Sequence, residues 1–337
     1  DQALALPEAT TVPVAASDTL FSARPILASL DLSDSDIAGA FGKDLREVER
    51  DNGGVLSFFA GANRHVVLKA KELQVLRPHG HLIRSGDHLV PDEASLTSTT
   101  WMAGVFHSLV TQGHVSINRL LSTARSYLGL LRSGGQRIFV ELEDGYHLLD
   151  VPSAYEMAPN GCRWLYKHRG GVIQVCSWAP VDHHALYLSI EVLAGAPCRF
   201  LIAHHVAING DDGAEAIPVH FTQRGRRPQP IAECGMRNAE SEIRIPHSEI
   251  LDIHPPADSD VGRRFPQGFY RIDLGAGATV ERVGGDELLF VDGRSRRQPF
   301  LTVVTTKTAS VQMRITGHLL PVADLPGPDR APQYEAE

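Results

Sequence analysis

From Val55 onward the chain is a succession of short runs in which apolar residues alternate with polar ones or crowd together over a few positions. These runs are VLSFFA, RHVVLKA, QRIFVELE, YHLLDV, RWLYKH, GVIQVCSW, ALYLSIEVL, CRFLIAHHVAI, IPVHFT, ELLFV, QPFLTVVT and SVQMRITGHL. They are rich in β-branched and aromatic residues and are bounded by turn formers, so each predicts a strand. Glu143-Asp144-Gly145 predicts a hairpin between QRIFVEL and YHLLDV, and Ala194-Gly195-Ala196 predicts another between ALYLSIEVL and CRFLIAHHV. Successive hairpins make antiparallel sheets. No regular helical segments separate the strands, which disfavours a parallel α/β sheet, and a sandwich buries so many half-apolar strands most simply.

Two stretches follow a helical period instead. In SDSDIAGAFGKDLREVERDNGG the residues Ile37, Phe41, Leu45 and Val48 share one face up to the stop at Gly53-Gly54. In SINRLLSTARSYLGLLRSGG the stripe is Ile117, Leu120, Leu121, Ala124, Leu128 and Leu131, with Ser116 able to cap it and Gly134-Gly135 able to end it. The run TSTTWMAGVFHSLVTQGHVSIN that leads into the second helix fits neither a solvated loop nor a clean strand. Residues 1–30 show no period. The tail Pro321 to Glu337 carries four prolines and little to bury, so it reads as a linker and the chain as a piece of something longer. The expected layout is a helix-bearing segment 1–54, a sandwich over 55–320 and a tail 321–337.

Composition narrows the function classes. The chain has 337 residues and a formal net charge of −8, which argues against nucleic acid as a partner. No apolar stretch approaches the roughly 18 residues of a spanning helix, and the first residues lack a basic region followed by an apolar block, so no membrane and a cytoplasmic location are expected. The cysteines Cys162, Cys176, Cys198 and Cys234 form no C-x-x-C pair, and free thiols are expected, with Cys162 to Cys176 across a hairpin as the alternative bridge.

Sixteen histidines raise the question of a metal. His79-Gly80-His81 and Asp87-His88 echo a binuclear zinc arrangement, but five residues (Leu82 to Gly86) stand where that arrangement has one, so no metal site is expected. His183-His184 and His204-His205 lie near strand ends, where neighbouring residues point to opposite faces and each pair offers a given face one ligand. There is no G-x-S-x-G and no G-x-x-x-x-G-K-[ST], and GAGATV has Val280 where a dinucleotide loop needs glycine. No cofactor and no catalytic residue are assigned. Asn209-Gly210-Asp211-Asp212-Gly213 reads as an acidic turn, with a sugar-hydroxyl acceptor role as the alternative. Arg224/Arg226/Arg227, Arg263/Arg264 and Arg294/Arg296/Arg297 read as solvated loops or as docking contacts to an acidic neighbour. Core packing is the default for Trp101, Trp164 and Trp178, and Trp101 is the candidate for stacking on a sugar.

The stretch from TTWMAGVFHSLVTQGHVSINRLLS through SGGQRIFVEL to CRFLIAHHVAINGDDG resembles the N-terminal part of 1,2-β-oligoglucan phosphorylases, of the cellobiose-phosphorylase group of inverting glycoside phosphorylases. The similarity runs over roughly Thr99 to Gly213. It implies a large antiparallel super-sandwich of galactose-mutarotase type, then a helical linker and an (α/α)6 barrel holding the general-acid Asp and the phosphate site. No series of long helices follows Gly213 here. The resemblance therefore implies the non-catalytic sandwich module of an enzyme that phosphorolyses β-1,2-glucooligosaccharides to α-glucose 1-phosphate, with the module edging the sugar cleft and helping to build a homodimer. The residues expected at that cleft or interface are Trp101, His107, Gln112, His114, Asn118 and Arg119, because their segment is polar where a strand-to-helix junction can reach out of the sandwich. The alternatives are a purely structural or dimerisation sandwich, for which the low aromatic content of 7% speaks, and a free-standing carbohydrate hydrolase or lyase.

Overall fold

The structure, a computed structural model, describes residues 24–88, 90, 92–113, 119–121, 134–206, 208, 220–223, 229–230, 249–274 and 280–319. In chain order the described elements begin with α1 (Asp34–Phe41), β1 (Leu45–Asp51), β2 (Gly54–Ala60), β3 (Arg64–Leu68) and α2 (Lys69–Gln74). There follow β4 (Gly80–Arg84), β5 (Leu96–Trp101), β6 (Val105–Gln112), β7 (Arg119–Leu120), β8 (Gln136–Leu142), β9 (Gly145–Leu148), β10 (Ala154–Ala158), β11 (Gly161–His168), β12 (Gly171–Trp178), β13 (Leu186–Ala194) and β14 (Phe200–His205). The last are β15 (His220–Gln223), β16 (Gln229–Pro230), β17 (Glu249–His254), α3 (Asp260–Arg264), β18 (Phe269–Leu274), β19 (Val280–Gly284), a 3-10 turn (Asp286–Leu289), β20 (Phe300–Thr305) and β21 (Ser310–His318).

These strands make three antiparallel sheets. The largest has twelve strands in the order β1-β2-β3-β10-β11-β12-β13-β21-β18-β17-β15-β16, and the others are β19-β20-β14-β8-β9 and β4-β5-β6-β7. One apolar cluster joins all three, with Trp164 and Tyr166 from the large sheet, Phe200 and Ile202 from the five-stranded sheet, and Leu96 and Phe106 from the four-stranded sheet. The large sheet is thus one layer and the two smaller sheets the other, the sandwich that alternation predicts. Along β11, Cys162, Trp164 and Tyr166 face this core, while Leu165 turns to a second cluster beneath α1.

Helix α1 is fixed by its sequence. Ser33 and Asp36 cap each other's backbone at 3.2 and 2.8 Å, and Lys167 bonds the Asp36 carboxylate at 2.6 Å. The bonds from Lys167 and Ser33 hold that carboxyl down at about 2. Underneath, fully buried Glu156 meets Arg163 at 2.6 Å and Arg64 at 3.5 Å, and Arg163 also bonds the Ala40 carbonyl at the end of α1. The chain before α1 crosses from layer to layer: Leu27 bonds Leu148 of β9, and Leu30 bonds Lys167 of β11.

Several expectations are corrected. The helix from Asp34 stops at Gly42, whose φ of 84° reverses the chain, and Leu45 and Val48 belong to strand β1, which pairs with β2. Spacing alone could not separate a continuing helix from an irregular edge strand, and β1 carries register shifts between Arg46 and Arg50. ELLFV is no strand, because its first residues form the 3-10 turn. Ala194-Gly195-Ala196 joins no hairpin: β13 pairs with β12 and β21, and β14 with β8 and β20, so the chain there crosses between layers. Within the second expected helix, Arg119 and Leu120 pair with Thr111 and Val110 as strand β7, buried Leu121 follows at φ 68°, and residues 116–118 and 122–133 lie outside the described residues. Among the described residues no helix is long and apolar enough to cross a membrane.

Candidate functional site

Strands β5 and β6 explain why their sequence fits neither loop nor clean strand. All of β6 is buried, as is β5 up to Trp101, so no solvent face imposes an alternation. Register shifts interrupt their pairing on both sides of Thr99, and Leu109 stands at φ 45°. Their polar side chains turn inward. The Nδ1 of fully buried His107 lies 3.0 Å from the Ser98 hydroxyl, while Nε2 lies 3.2 Å from the Tyr187 carbonyl and 3.1 Å from the Ser177 hydroxyl. Since a carbonyl only accepts, Nε2 carries the proton and Nδ1 accepts from Ser98. Burial lowers the His107 pKa to about 4, so this neutral form is the resident one. Nearby, Thr100 Oγ1 lies 2.9 Å from Tyr155 OH, which lies 3.1 Å from Cys162 Sγ. Burial pushes the Cys162 thiol up to about 12, which makes it inert.

The other sequence-expected residues are likewise tied into the sandwich. The half-buried Trp101 indole lies across Gly80, where an added Cβ would come within 2.4 Å of the ring. Trp101 also gives its carbonyl to Trp164 Nε1 at 3.0 Å. Buried Gln112 donates to the Gly317 carbonyl at 3.1 Å and so links β6 to the end of β21. Arg119 is described only as backbone of β7, and His114 and Asn118 lie outside the described residues. Trp101, His107 and Gln112 therefore do not converge on one cleft; each seams one sheet to another.

Carboxylates show the same use. The five buried ones among the described residues are Glu72, Glu156, Asp273, Asp286 and Glu287. Glu72 holds His79 through its backbone N at 3.1 Å and Nδ1 at 2.7 Å. Asp286 accepts from Ser295 Oγ, Arg296 N and Gln298 N, which shapes the arginine loop 294–297. Glu287 accepts from Gly285 N, and Asp273 meets Arg314 at 3.0 Å. Each is engaged in building the fold.

The histidines do not gather either. His81 bonds the Ala158 carbonyl at 2.9 Å, His88 meets Asp87, and among the described residues no three metal-binding side chains come together. Buried His204 bonds the Leu301 carbonyl at 3.2 Å, and burial lowers both His204 and His205 to about 4. Cys162 and Cys176 are free; they sit opposite Ser177 and Arg163 respectively, so they point to opposite faces of the sheet. The groups Asn209 to Gly213 and Arg224 to Arg227, and Cys234, lie outside the described residues.

One arrangement, in the loop between β12 and β13, leaves little trace in the sequence. His183 Nδ1 lies 2.7 Å from the Asp182 carboxylate, and its Nε2 lies 2.8 Å from Tyr187 OH. The Tyr187 ring stacks on Trp178 with centroids 5.3 Å apart and meets the His183 ring edge-on. His184 turns the other way, to Asp92 at 3.2 Å and Ser85 at 3.4 Å in the loop before β5. The two histidines take partners on different sides, but they do so from a bend and not from a strand end. The only signal in the sequence was the Asp182 that precedes them.

The sequence matches the glycoside phosphorylase supersandwich domain over residues 43–233. It is 32% identical over 181 residues to a 1,2-β-oligoglucan phosphorylase of Listeria innocua, a stretch that takes up 54% of this chain and 17% of that protein. Among solved structures, a TPR-domain-containing protein of Parabacteroides distasonis aligns over 76% of this chain and 58% of its own, at 8% identity and a TM-score of 0.29.

Proposed function

The chain belongs to the glycoside phosphorylase supersandwich family, and from that premise we propose that it is the non-catalytic sandwich module of an enzyme that phosphorolyses β-1,2-glucooligosaccharides to α-glucose 1-phosphate. Its part is to edge the substrate cleft and to supply contacts between two copies of the enzyme. The general acid and the phosphate site belong, on this reading, to a barrel that the sandwich supports. The observation that carries it is the state of the carboxylates: the five buried in the described residues each hold a loop, a strand or an arginine. An inverting phosphorylase needs one acid free to protonate the leaving oxygen, with phosphate as the nucleophile.

The reading is tested by release of glucose 1-phosphate from β-1,2-glucooligosaccharide in the presence of phosphate. This chain alone should give none, and a longer protein containing it should be active. Turnover by this chain alone would place the acid within it and overturn the reading. Of the cleft residues expected from the sequence, Trp101 is the one described side chain that stays half-open. A Trp101→Ala variant is expected to weaken glucan binding.

A further inference from the structure

We propose that the β12–β13 loop is a sugar subsite in which Val181, Asp182 and His183 hold one pyranose unit of a neutral oligosaccharide. The inference deepens the proposed function and rests on its reading of the chain as a glucan-handling module.

Four contacts pin the loop. Ala179 N bonds the Asn160 carbonyl at 3.0 Å, Gly86 N bonds the Pro180 carbonyl at 3.0 Å, and His184 holds Asp92 and Ser85. The pinned loop nevertheless turns three side chains outward. The side chains of Asp182 and His183 are 78% and 49% exposed, and Val181 is 60% exposed. His183 is oriented at both ring nitrogens, by Asp182 and by Tyr187, and Tyr187 is immobilised against Trp178.

Recognition of a sugar calls for this set of groups. A carboxylate accepts two hydroxyl donors, and the Asp182 oxygen not bonded to His183 is open to solvent. An apolar side chain covers the C–H face of the ring, and exposed Val181 stands next to Asp182 in the chain. Fixed orientation lowers the entropy that binding must overcome. The Trp178 indole, whose buried Nε1 has no hydrogen-bond partner among the described residues, stacks on Tyr187 and so backs the residue that orients His183. The groups offered are an open carboxylate oxygen, the face of an imidazole whose two nitrogens are already engaged, and an apolar side chain, which together suit a polyol.

The experiment titrates this chain with a β-1,2-linked glucooligosaccharide and, separately, with a β-1,4-linked one, by calorimetry and by tryptophan fluorescence. The expected result is saturable binding of the β-1,2 chain that weakens at least about tenfold in Asp182→Ala and in His183→Ala, both with unchanged melting. The fluorescence change should vanish in Trp178→Phe while calorimetry still reports binding. No binding of either sugar, or binding that both variants retain, overturns the subsite. If β-1,2 binding persists in both variants, the proposed function keeps its support and the subsite falls. If only the β-1,4 chain binds, and does so through Asp182, the subsite stands and the linkage in the proposed function falls.

Discussion

His107 and His183 each have both ring nitrogens hydrogen-bonded, one in the seam of the sandwich and the other at its rim. His107 is fully enclosed by Ser98, Ser177 and the Tyr187 carbonyl, while His183 stands half in solvent between Asp182 and the Tyr187 hydroxyl. Tyr187 serves both, its carbonyl inward and its ring outward. Burial alone separates their roles. A sealed imidazole is locked neutral and acts as a hydrogen-bonded spacer, whereas an exposed, oriented one presents its ring face to a ligand.

The largest effect should come from acid acting on the sealed group. His107, His204 and His205 have pKa values near 4 in the fold, against about 6.5 in an unfolded chain. Between those values the unfolded chain binds more protons, so stability is whole above about pH 6.5 and is lost as pH falls toward 4. At about 3 kcal/mol per histidine, the three together approach a domain's entire stability. Denaturant midpoints measured across this range should fall steeply, and a flat profile would mean that the three are not sealed. Next in size is His107→Ala. It leaves two hydroxyls and a carbonyl without their partner around a cavity, so a loss of about 3 kcal/mol is expected in denaturant unfolding. Gln112→Ala removes one bond to Gly317 and should cost about 1–2 kcal/mol by the same measurement. His183→Ala closes the series, with a stability change within about 0.5 kcal/mol and its effect confined to glucan binding.

Much of the sandwich is legible in the sequence. In β8, β11, β12 and β14 the residues alternate between a core face and another, and Glu143-Asp144-Gly145 does turn β8 into β9. Where both faces are buried the polar alternation disappears; β14 still reads as a strand from its apolar run, whereas β5 and β6 bury Ser, Thr, His and Gln and so read as anomalous. Their polar residues looked like a surface reaching outward. In the fold, Ser98 and His107 satisfy each other, Thr100 meets Tyr155 and Gln112 meets Gly317 of the large sheet. The pairing of β13 with β21 depends on residues more than a hundred positions apart, and no local turn signal reports it. The rim site escaped notice for a different reason. Asp182, His183 and Tyr187 are common residues, and only the pinned loop brings them into a functional arrangement.

The most direct test of this division is carbethoxylation of the histidines, followed by peptide mass mapping with and without β-1,2-glucooligosaccharide. The account predicts that folded protein reacts at His183, that the sugar protects it, and that His107 stays unmodified until the protein unfolds. Modification of His107 at the rate of His183, or a His183 that reacts equally fast with sugar present, would contradict it.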